Sequence, residues 1–244
     1  MGIIRHALIM AAGRGRRMRP LTDAIPKPMA PYLDSTLIAT GISKLRPHIP
    51  NIHVTVGYKG AMLAQHLIEH GVSSIFNTDG QTNSWWIYNT PLAHIDEPLF
   101  VLTSDNVTDI DFPALAADYH AQGAPPCMVV AVDPVPELEG DYIFAEKGVV
   151  TALDRHRRAE TYCSGIQVLN PKRITQLTQD AGDFNAVWAQ LIQQRHLRVS
   201  AVRPQRWFSI DTVADLMRAD GGNERRDRGP DVDAPTGPIP SPQR

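Results

Sequence analysis

Short apolar runs alternate with segments of helical periodicity from residue 6 to residue 218. The runs are typical of buried strands, and the segments between them carry apolar residues three and four positions apart. The predicted strands are 6–12, 52–57, 73–76, 98–104, 127–132, 164–169 and 197–202, and the predicted helices are 35–45, 59–71, 112–121, 185–195 and 212–218. This alternation predicts an α/β, Rossmann-like protein whose mostly parallel sheet has helices on both faces.

The composition of the chain indicates its domain boundary and limits the classes of partner. We expect residues 1–220 to form one domain, and residues 221–244, rich in Pro, Gly and charge, to form a disordered tail. A formal net charge of -2 argues against nucleic-acid binding. No apolar run has the length of a membrane span. Cys127 and Cys163 are too few for a disulfide framework, so a reducing, cytoplasmic location is expected.

Residues 11–29 concentrate positive charge around two glycines directly after the first predicted strand. The segment reads AAGRGRRMRPLTDAIPKPM and contains the cations Arg14, Arg16, Arg17, Arg19 and Lys27. Backbone amides of such a loop bind phosphate, and a following helix N-terminus strengthens the site. Met18 stands where a dinucleotide fingerprint has its third glycine, and no Gly-Lys-Ser/Thr completes a Walker loop. The loop therefore predicts a phosphate site of another kind, the alternative being a solvated run of arginines.

Lys27 lies between Pro26 and Pro28. Proline fixes its own φ angle and favours extended geometry in the residue before it. We therefore expect a stiff, extended segment that presents the ammonium group to a charged ligand at a reduced cost in entropy.

The loop and two later segments follow one recognisable pattern. The loop contributes Ala11-Ala12-Gly13-Arg14-Gly15, Arg17-Met18, Pro20-Leu21-Thr22 and Pro26-Lys27-Pro28, while residues 104–112 read SDNVTDIDF and residues 207–216 read WFSIDTVADL. These motifs resemble those of the nucleoside triphosphate:sugar-1-phosphate nucleotidyltransferases. The resemblance covers most of residues 6–218.

The resemblance implies Mg²⁺-dependent attack of an acceptor phosphate on the α-phosphorus of a nucleoside triphosphate, with release of pyrophosphate. The nucleotide-binding residues that it implies are Ala11, Ala12, Gly13, Arg14, Gly15, Arg17 and Lys27. Lys27 and Arg17 are also the implied catalytic residues. Asp105 and Asp211 are the implied metal ligands, since Mg²⁺ binds to a few carboxylates together with phosphates and water. We expect Asp109 and Asp111 to cap the next helix.

The acceptor-binding part departs from the pattern of the resembling family. Ser209 stands where an acid is common, residues 80–89 (GQTNSWWIYN) replace a small-residue stretch, and residues 154–165 lack a Glu-Lys-Pro motif. The candidate acceptor-binding residues are Asn83, Trp85, Trp86 and Gly165. The arginines Arg155, Arg157 and Arg158 either contact a second phosphate or lie in an exposed loop.

Three other functions remain open from the sequence. A related phosphocholine cytidylyltransferase would use Trp85, Trp86 and Tyr88 as an aromatic surface for a quaternary ammonium group, unless these rings pack in the core. Residues 66–70 (HLIEH) match a zinc-peptidase pattern, but we expect this helix on the outer face of the sheet. The third alternative, a protein that binds nucleotide without catalysis, is disfavoured by the joint presence of the lysine and both aspartates.

Overall fold

Strands and helices alternate along residues 2–135 and 140–219, the part of the chain that the computed structural model describes. The strands are β1 (His6–Ala11), β2 (Pro31–Tyr32), β3 (Ser35–Thr36), β4 (Asn51–Val56), β5 (Ser74–Asn77), β6 (Leu99–Thr103), β7 (Asn106–Asp109), β8 (Cys127–Val132), β9 (Tyr142–Glu146), β10 (Val149–Asp154), β11 (Tyr162–Leu169), β12 (Leu197–Val199) and β13 (Arg206–Ser209). The helices are α1 (Leu21–Ala24), α2 (Leu37–Leu45), α3 (Gly60–Glu69), α4 (Trp85–Asn89), α5 (Phe112–Ala121), α6 (Pro171–Leu177) and α7 (Phe184–Gln193). Residues 213–219 are also helical, whereas the predicted tail, 221–244, lies outside the described residues.

The central sheet has nine strands in the order β5-β4-β1-β6-β11-β8-β12-β10-β9. The four strands from β5 to β6 run parallel to one another, which confirms the Rossmann-like arrangement. Beyond them, β11 is antiparallel to both β6 and β8. Because parallel strands end at one edge of a sheet, the segments that follow β1, β4, β5 and β6 all lie at that edge.

The far end of the sheet folds back on itself. Strand β11 also pairs with β9 through Tyr162 and Tyr142, and the two rings meet edge to face with centroids 5.5 Å apart. The five strands from β11 to β9 therefore close into a small barrel-like unit beside the parallel half.

Two apolar clusters cover the two faces of the sheet. Ile9 belongs to the cluster beneath α2, α3 and α5, while its neighbour Leu8 belongs to the cluster with α4, α6 and α7. Successive side chains of a strand point to opposite faces, so a strand covered on both sides reads as a continuous apolar run. This explains why β1 and β8 were predictable from the sequence. None of the helices in the described ranges has the length and apolarity to span a bilayer.

The helix predicted over residues 35–45 begins two residues later than expected, at Leu37. Ser35 does not cap α2; it belongs to β3, and Thr36 is the cap, accepting a hydrogen bond from Ala39 N at 3.2 Å. Between β1 and α2 the arginine loop contains only short helical turns, since Arg16–Met18 and Lys27–Met29 are single 3-10 turns on either side of the four-residue α1. The prolines at 20, 26 and 28 prevent a continuous helix, so no helix dipole supports the loop.

Candidate active site

Lys27 stands at the centre of a compact charge cluster. Its Nζ donates hydrogen bonds to Asp105 Oδ2 at 2.8 Å and to Asp211 Oδ1 at 3.1 Å. Arg17 donates to the same Oδ1 of Asp211 at 2.9 Å. The Lys27 side chain is only 10% exposed, whereas that of Arg17 is 70% exposed. The lysine is therefore enclosed by its surroundings, while the arginine reaches the same aspartate from the solvent side.

A short strand pair that the sequence pattern did not predict brings the two aspartates together. Strands β7 and β13 are antiparallel, with Ser209 opposite Asn106, and Ile210 N donates to Asp105 O at 2.9 Å. Asp105 and Asp211 flank this ladder at the same end. Ser209 Oγ lies 3.2 Å from Asp211 Oδ2, so the serine that replaces the family's common acid contacts the aspartate carboxylate directly.

Asp215 holds the backbone next to Asp211, and the sequence analysis missed it. Its Oδ2 accepts hydrogen bonds from Asp211 N at 3.1 Å and from Thr212 N at 2.8 Å, and Thr212 Oγ1 accepts one from Asp215 N at 3.1 Å. Burial raises the pKa of Asp215, but hydrogen bonds from Thr212 and Arg218 outweigh burial, so the pKa lies below its ordinary value. Thr212-x-x-Asp215 is a capping box with an aspartate in the acidic position, a signal that the sequence does contain.

Gly15 allows the arginine loop to pack on Lys27. Its φ of +58° is left-handed, and a Cβ at this position would lie 2.7 Å from Lys27 Cβ. Thr22 Oγ1 donates to Gly15 O at 3.0 Å, and Tyr58 OH donates to Thr22 O at 3.0 Å. Lys27 is not extended as predicted but begins a 3-10 turn after an extended Pro26.

A cavity of about 480 Å³ opens beside this cluster. It lies at the carboxyl ends of the parallel strands, as expected for an α/β sheet. Its lining residues include Ala12, Gly13, Arg14, Lys27, Thr78, Asp79, Asn83, Trp86, Thr103 and Asp105. Ala11 is the last residue of β1 and is buried, and Arg16 and Arg19 are exposed. Arg17 and Asp211 line a second cavity, of about 620 Å³. The charge cluster therefore lies between two cavities.

The two carboxylates suit a magnesium ion. Asp105 Oδ2 and Asp211 Oδ1 lie within 3.1 Å of one nitrogen atom, Lys27 Nζ, so both oxygens face one point. Carboxylate oxygens are the ligands that Mg²⁺ prefers, with phosphate and water completing its octahedron. No group of three or more His, Cys, Asp or Glu that could hold a metal occurs within 2–135 and 140–219.

Two of the three aromatic residues considered for a quaternary ammonium group are engaged inside the protein. Trp86 is 1% exposed and its ring packs 6.4 Å from that of Phe184. Tyr88 is half-buried, and its hydroxyl hydrogen bonds to Thr178 at 2.7 Å. Trp86 and Tyr88 therefore pack against the core, which is the alternative to a choline-binding surface that the sequence left open.

The candidate acceptor residues do not all line the cavity beside Lys27. Asn83 and Trp86 line it, whereas Trp85, half-buried at the start of α4, does not. Asn83 Oδ1 accepts from Phe184 N at 2.9 Å. Gly165, with a φ of +80°, lies outside the lining, and a Cβ there would approach Asn106 Nδ2 to 3.0 Å and Thr103 Cγ2 to 3.4 Å.

Two of the three arginines in the 154–165 segment contact residues outside the charge cluster. Arg155 Nε donates to Asp141 Oδ1 at 3.1 Å, Arg157 stacks over Phe144 at 3.6 Å, and Arg158 is exposed.

Of the two predicted caps, Asp111 caps α5, accepting from Ala114 N at 2.8 Å, while Asp109 ends β7.

The histidines of the zinc-peptidase pattern and the cysteines lie apart from the charge cluster. His66 Nε2 lies 2.9 Å from Thr36 Oγ1, and the His66 and His70 rings are 4.5 Å apart on α3. Both thiols are free. Burial raises the pKa of both, that of Cys163 to about 12, which opposes formation of the reactive thiolate.

Comparison with known proteins places the chain in a family. The model of the nucleotidyl transferase family matches residues 6–221, so the chain belongs to this family. The mannose-1-phosphate guanyltransferase of Candida albicans is 28% identical over 182 residues, covering 68% of this chain and 50% of that protein. The Drosophila melanogaster mannose-1-phosphate guanylyltransferase catalytic subunit beta is 25% identical over 225 residues, covering 87% of this chain and 61% of that protein. The chain thus spans about half the length of the curated relatives it matches first.

Solved structures share the same fold. The inositol-1-phosphate CTP transferase of T. maritima superposes with a TM-score of 0.71 at 15% identity, covering 89% of this chain and 96% of that one. An apo UDP-glucose pyrophosphorylase gives a TM-score of 0.72 at 17% identity, with coverage of 92% and 100%. At these identities the comparison defines the fold and leaves the substrates to be argued from the residues.

Proposed function

We propose that the protein transfers a nucleotidyl group from a nucleoside triphosphate to a sugar-1-phosphate and releases pyrophosphate. One observation carries this proposal: Lys27 Nζ lies 2.8 Å from Asp105 and 3.1 Å from Asp211, beside a cavity lined by the glycine and arginine loop. The mannose-1-phosphate guanyltransferases among the relatives make GTP and mannose-1-phosphate the first pair to test.

The reaction needs charge neutralisation and alignment, and it needs no protein nucleophile. An oxygen of the acceptor phosphate attacks the α-phosphorus, and the bond from this phosphorus to the oxygen bridging to the β-phosphorus breaks, so that pyrophosphate leaves. The triphosphate brings about four negative charges and the acceptor phosphate about two. Because the nucleophile and the leaving group lie on opposite sides of the phosphorus, a charge cluster reachable from two cavities suits this displacement.

Lys27 and the arginine loop supply positive charge within this arrangement. Lys27 holds its ammonium group where the α-phosphate and the acceptor phosphate meet and stabilises the charge that develops between them. Arg14 and Arg17, with the backbone amides of Gly13 and Gly15, bind the β- and γ-phosphates. When bound between Asp105 and Asp211, Mg²⁺ adds further neutralisation and orients phosphate oxygens. A cytoplasmic location, where nucleoside triphosphates are made and free thiols stay reduced, belongs to the same proposal.

Pyrophosphate release across a grid of nucleotides and acceptors tests this function. The grid combines GTP, ATP, CTP, UTP and dTTP with hexose-1-phosphates, amino-sugar-1-phosphates and phosphocholine, with and without Mg²⁺. We expect release that requires both a nucleotide and a sugar-1-phosphate and that stops when Mg²⁺ is removed. Two results would contradict the proposal. One is pyrophosphate release for which phosphocholine is the only acceptor that works, and the other is nucleotide binding with no release for any pair.

A further inference from the structure

Two polar groups at the candidate active-site cavity have no hydrogen-bond partner within the part of the chain that the structure describes. They are the indole Nε1 of Trp86 and the Oγ1 hydroxyl of Thr103. Both atoms are buried, and both residues line the cavity of about 480 Å³ that also contains Lys27 and Asp105. Buried N–H and O–H groups in folded proteins nearly always have a partner, so these two groups point to a ligand.

The cavity floor is a row of three side chains on neighbouring parallel strands. Met10 of β1 is in register with Thr55 of β4 on one side and with Thr103 of β6 on the other. Side chains in register on parallel strands share a face of the sheet, and Met10 packs against the same apolar cluster as Trp86. Thr55 already has a backbone partner, since its Oγ1 accepts from Ala11 N at 3.3 Å. The hydroxyl of Thr103, by contrast, has no partner among the described residues.

Gly165 lies next to Thr103. Its Cβ, if present, would lie 3.4 Å from Thr103 Cγ2 and 3.6 Å from Thr103 Oγ1. These are ordinary van der Waals distances, so Gly165 packs beside Thr103 while lying outside the cavity lining.

We propose that Trp86 Nε1–H and the Thr103 hydroxyl bind hydroxyl groups of a sugar ring in the substrate. This inference rests on the proposed function. Sugar hydroxyls can accept a hydrogen bond from the indole and can donate to or accept from the threonine hydroxyl, because an O–H group is both a donor and an acceptor. A quaternary ammonium group has no acceptor and leaves both groups unpaired, so this site selects a polyhydroxylated substrate over a choline-like one.

Two parts of the reactants have ring hydroxyl groups: the ribose of the nucleotide and the acceptor sugar. Measurement of KM for each substrate, and for the analogues that lack one hydroxyl, distinguishes them. The analogues are 2′- and 3′-deoxynucleotides on one side and deoxyhexose-1-phosphates on the other.

The test removes each polar group and retains the shape of its side chain. Trp86→Phe and Thr103→Val are compared with Trp188→Phe, a control in which the lost indole N–H bonds inside the protein to Gln167 Oε1 at 3.1 Å. We expect Trp86→Phe to raise KM about tenfold for one substrate with a smaller change in kcat, as for other buried hydrogen bonds to a substrate hydroxyl. The deoxy analogue of that substrate should have the same KM with wild type and variant. Thr103→Val should raise KM for the same substrate, and Trp188→Phe should change neither KM.

Two outcomes separate this inference from the function on which it rests. An unchanged KM for both substrates in Trp86→Phe and in Thr103→Val would overturn the hydroxyl site, as expected if an ordered water satisfied both groups. An inactive wild type would overturn the proposed transfer reaction. The hydroxyl site is then tested on its own by calorimetric titration of wild type and Trp86→Phe with GTP, its deoxy forms and mannose-1-phosphate. Affinities that are the same for both proteins would overturn it.

Discussion

Lys27 Nζ lies 2.8 Å from Asp105 Oδ2, and the two residues are 78 positions apart in the sequence. The same nitrogen lies 3.1 Å from Asp211 Oδ1. The ammonium group therefore occupies the point that both candidate metal ligands face. A divalent cation at these carboxylates must share them with Lys27, so the lysine and the metal compete until phosphates arrive.

Lys27→Met should bind divalent cations more tightly than the wild type when nucleotide is absent. The change leaves two carboxylates facing each other, which should lower stability by roughly 2–3 kcal/mol, less than for a fully buried pair because Asp105 is 30% exposed. Mg²⁺ should restore much of this loss through binding to the folded state. Thermal unfolding with and without Mg²⁺ measures both effects.

Lys172→Met is the matched control for this experiment. Lys172 pairs with Asp96 at the surface, at 3.1 Å, so its removal should produce no Mg²⁺-dependent gain in stability. An equal Mg²⁺ effect on wild type and Lys27→Met would contradict the competition between lysine and metal.

Gly15→Ala should destabilise the protein by about 1–2 kcal/mol, because φ is +58° and the new Cβ would lie 2.7 Å from Lys27 Cβ. The clash should also displace Lys27 and lower kcat. Gly13→Ala is the comparison, since a Cβ at that glycine would have no atom within 4 Å. The urea midpoint of this variant should equal that of the wild type. Equal urea midpoints for both variants would rule out the steric role of Gly15.

Asp215→Ala should reduce both stability and turnover. It removes acceptors for Asp211 N and Thr212 N, which should cost about 1–2 kcal/mol as for other helix caps and should lower kcat through a less ordered Asp211. Asp111→Ala removes the cap of α5 and should cost similar stability without a change in kcat. If the two variants lost kcat equally, Asp215 would have only a structural role.

The stability of the protein should fall as pH decreases from about 6.5 to about 4 because of His53. Burial, followed by the charge of His6, lowers the pKa of His53 from 6.5 to about 4, and its two ring nitrogens contact His6 at 3.0 Å and Ser74 at 2.6 Å. In this window the unfolded state binds a proton that the folded state does not, so acid favours unfolding.

His53→Gln isolates this contribution. The variant should be less stable at neutral pH, but its free energy of unfolding should depend less steeply on pH between 6.5 and 4. Urea denaturation at a series of pH values provides the measurement. Parallel pH dependences for the two proteins would show that His53 does not account for the acid sensitivity.

The fold was largely predictable from the sequence because the parallel strands are buried on both faces. Residues 127–132 form β8 with the predicted bounds. The pair of β7 and β13 was not predicted, since each strand has four residues and includes charged or polar ones such as Asp109 and Arg206. Strands of this kind have no apolar alternation, and only tertiary pairing reveals them.

The charged residues of the site were recognisable from their motifs, but their arrangement was not. Sequence order alone does not place Arg17 and Lys27 on the same carboxylate of Asp211. The adjacent tryptophans show the same limit: on the short helix α4, Trp86 faces the cavity and the core while Trp85 does not. Neighbouring residues on a helix point in different directions, so composition could not separate their roles.

Pyrophosphate release by wild type, Lys27→Ala and Asp105→Asn, measured with Mg²⁺ and the best substrate pair, tests the central claim most directly. Lys172→Ala and Asp96→Asn, from the surface ion pair, serve as controls. We predict that the two site variants remain folded and lose at least ~100-fold in kcat, as when a group that stabilises developing charge is removed, while the controls keep wild-type rates. Near-normal release by a folded Lys27→Ala would contradict the assignment of this lysine to the reaction.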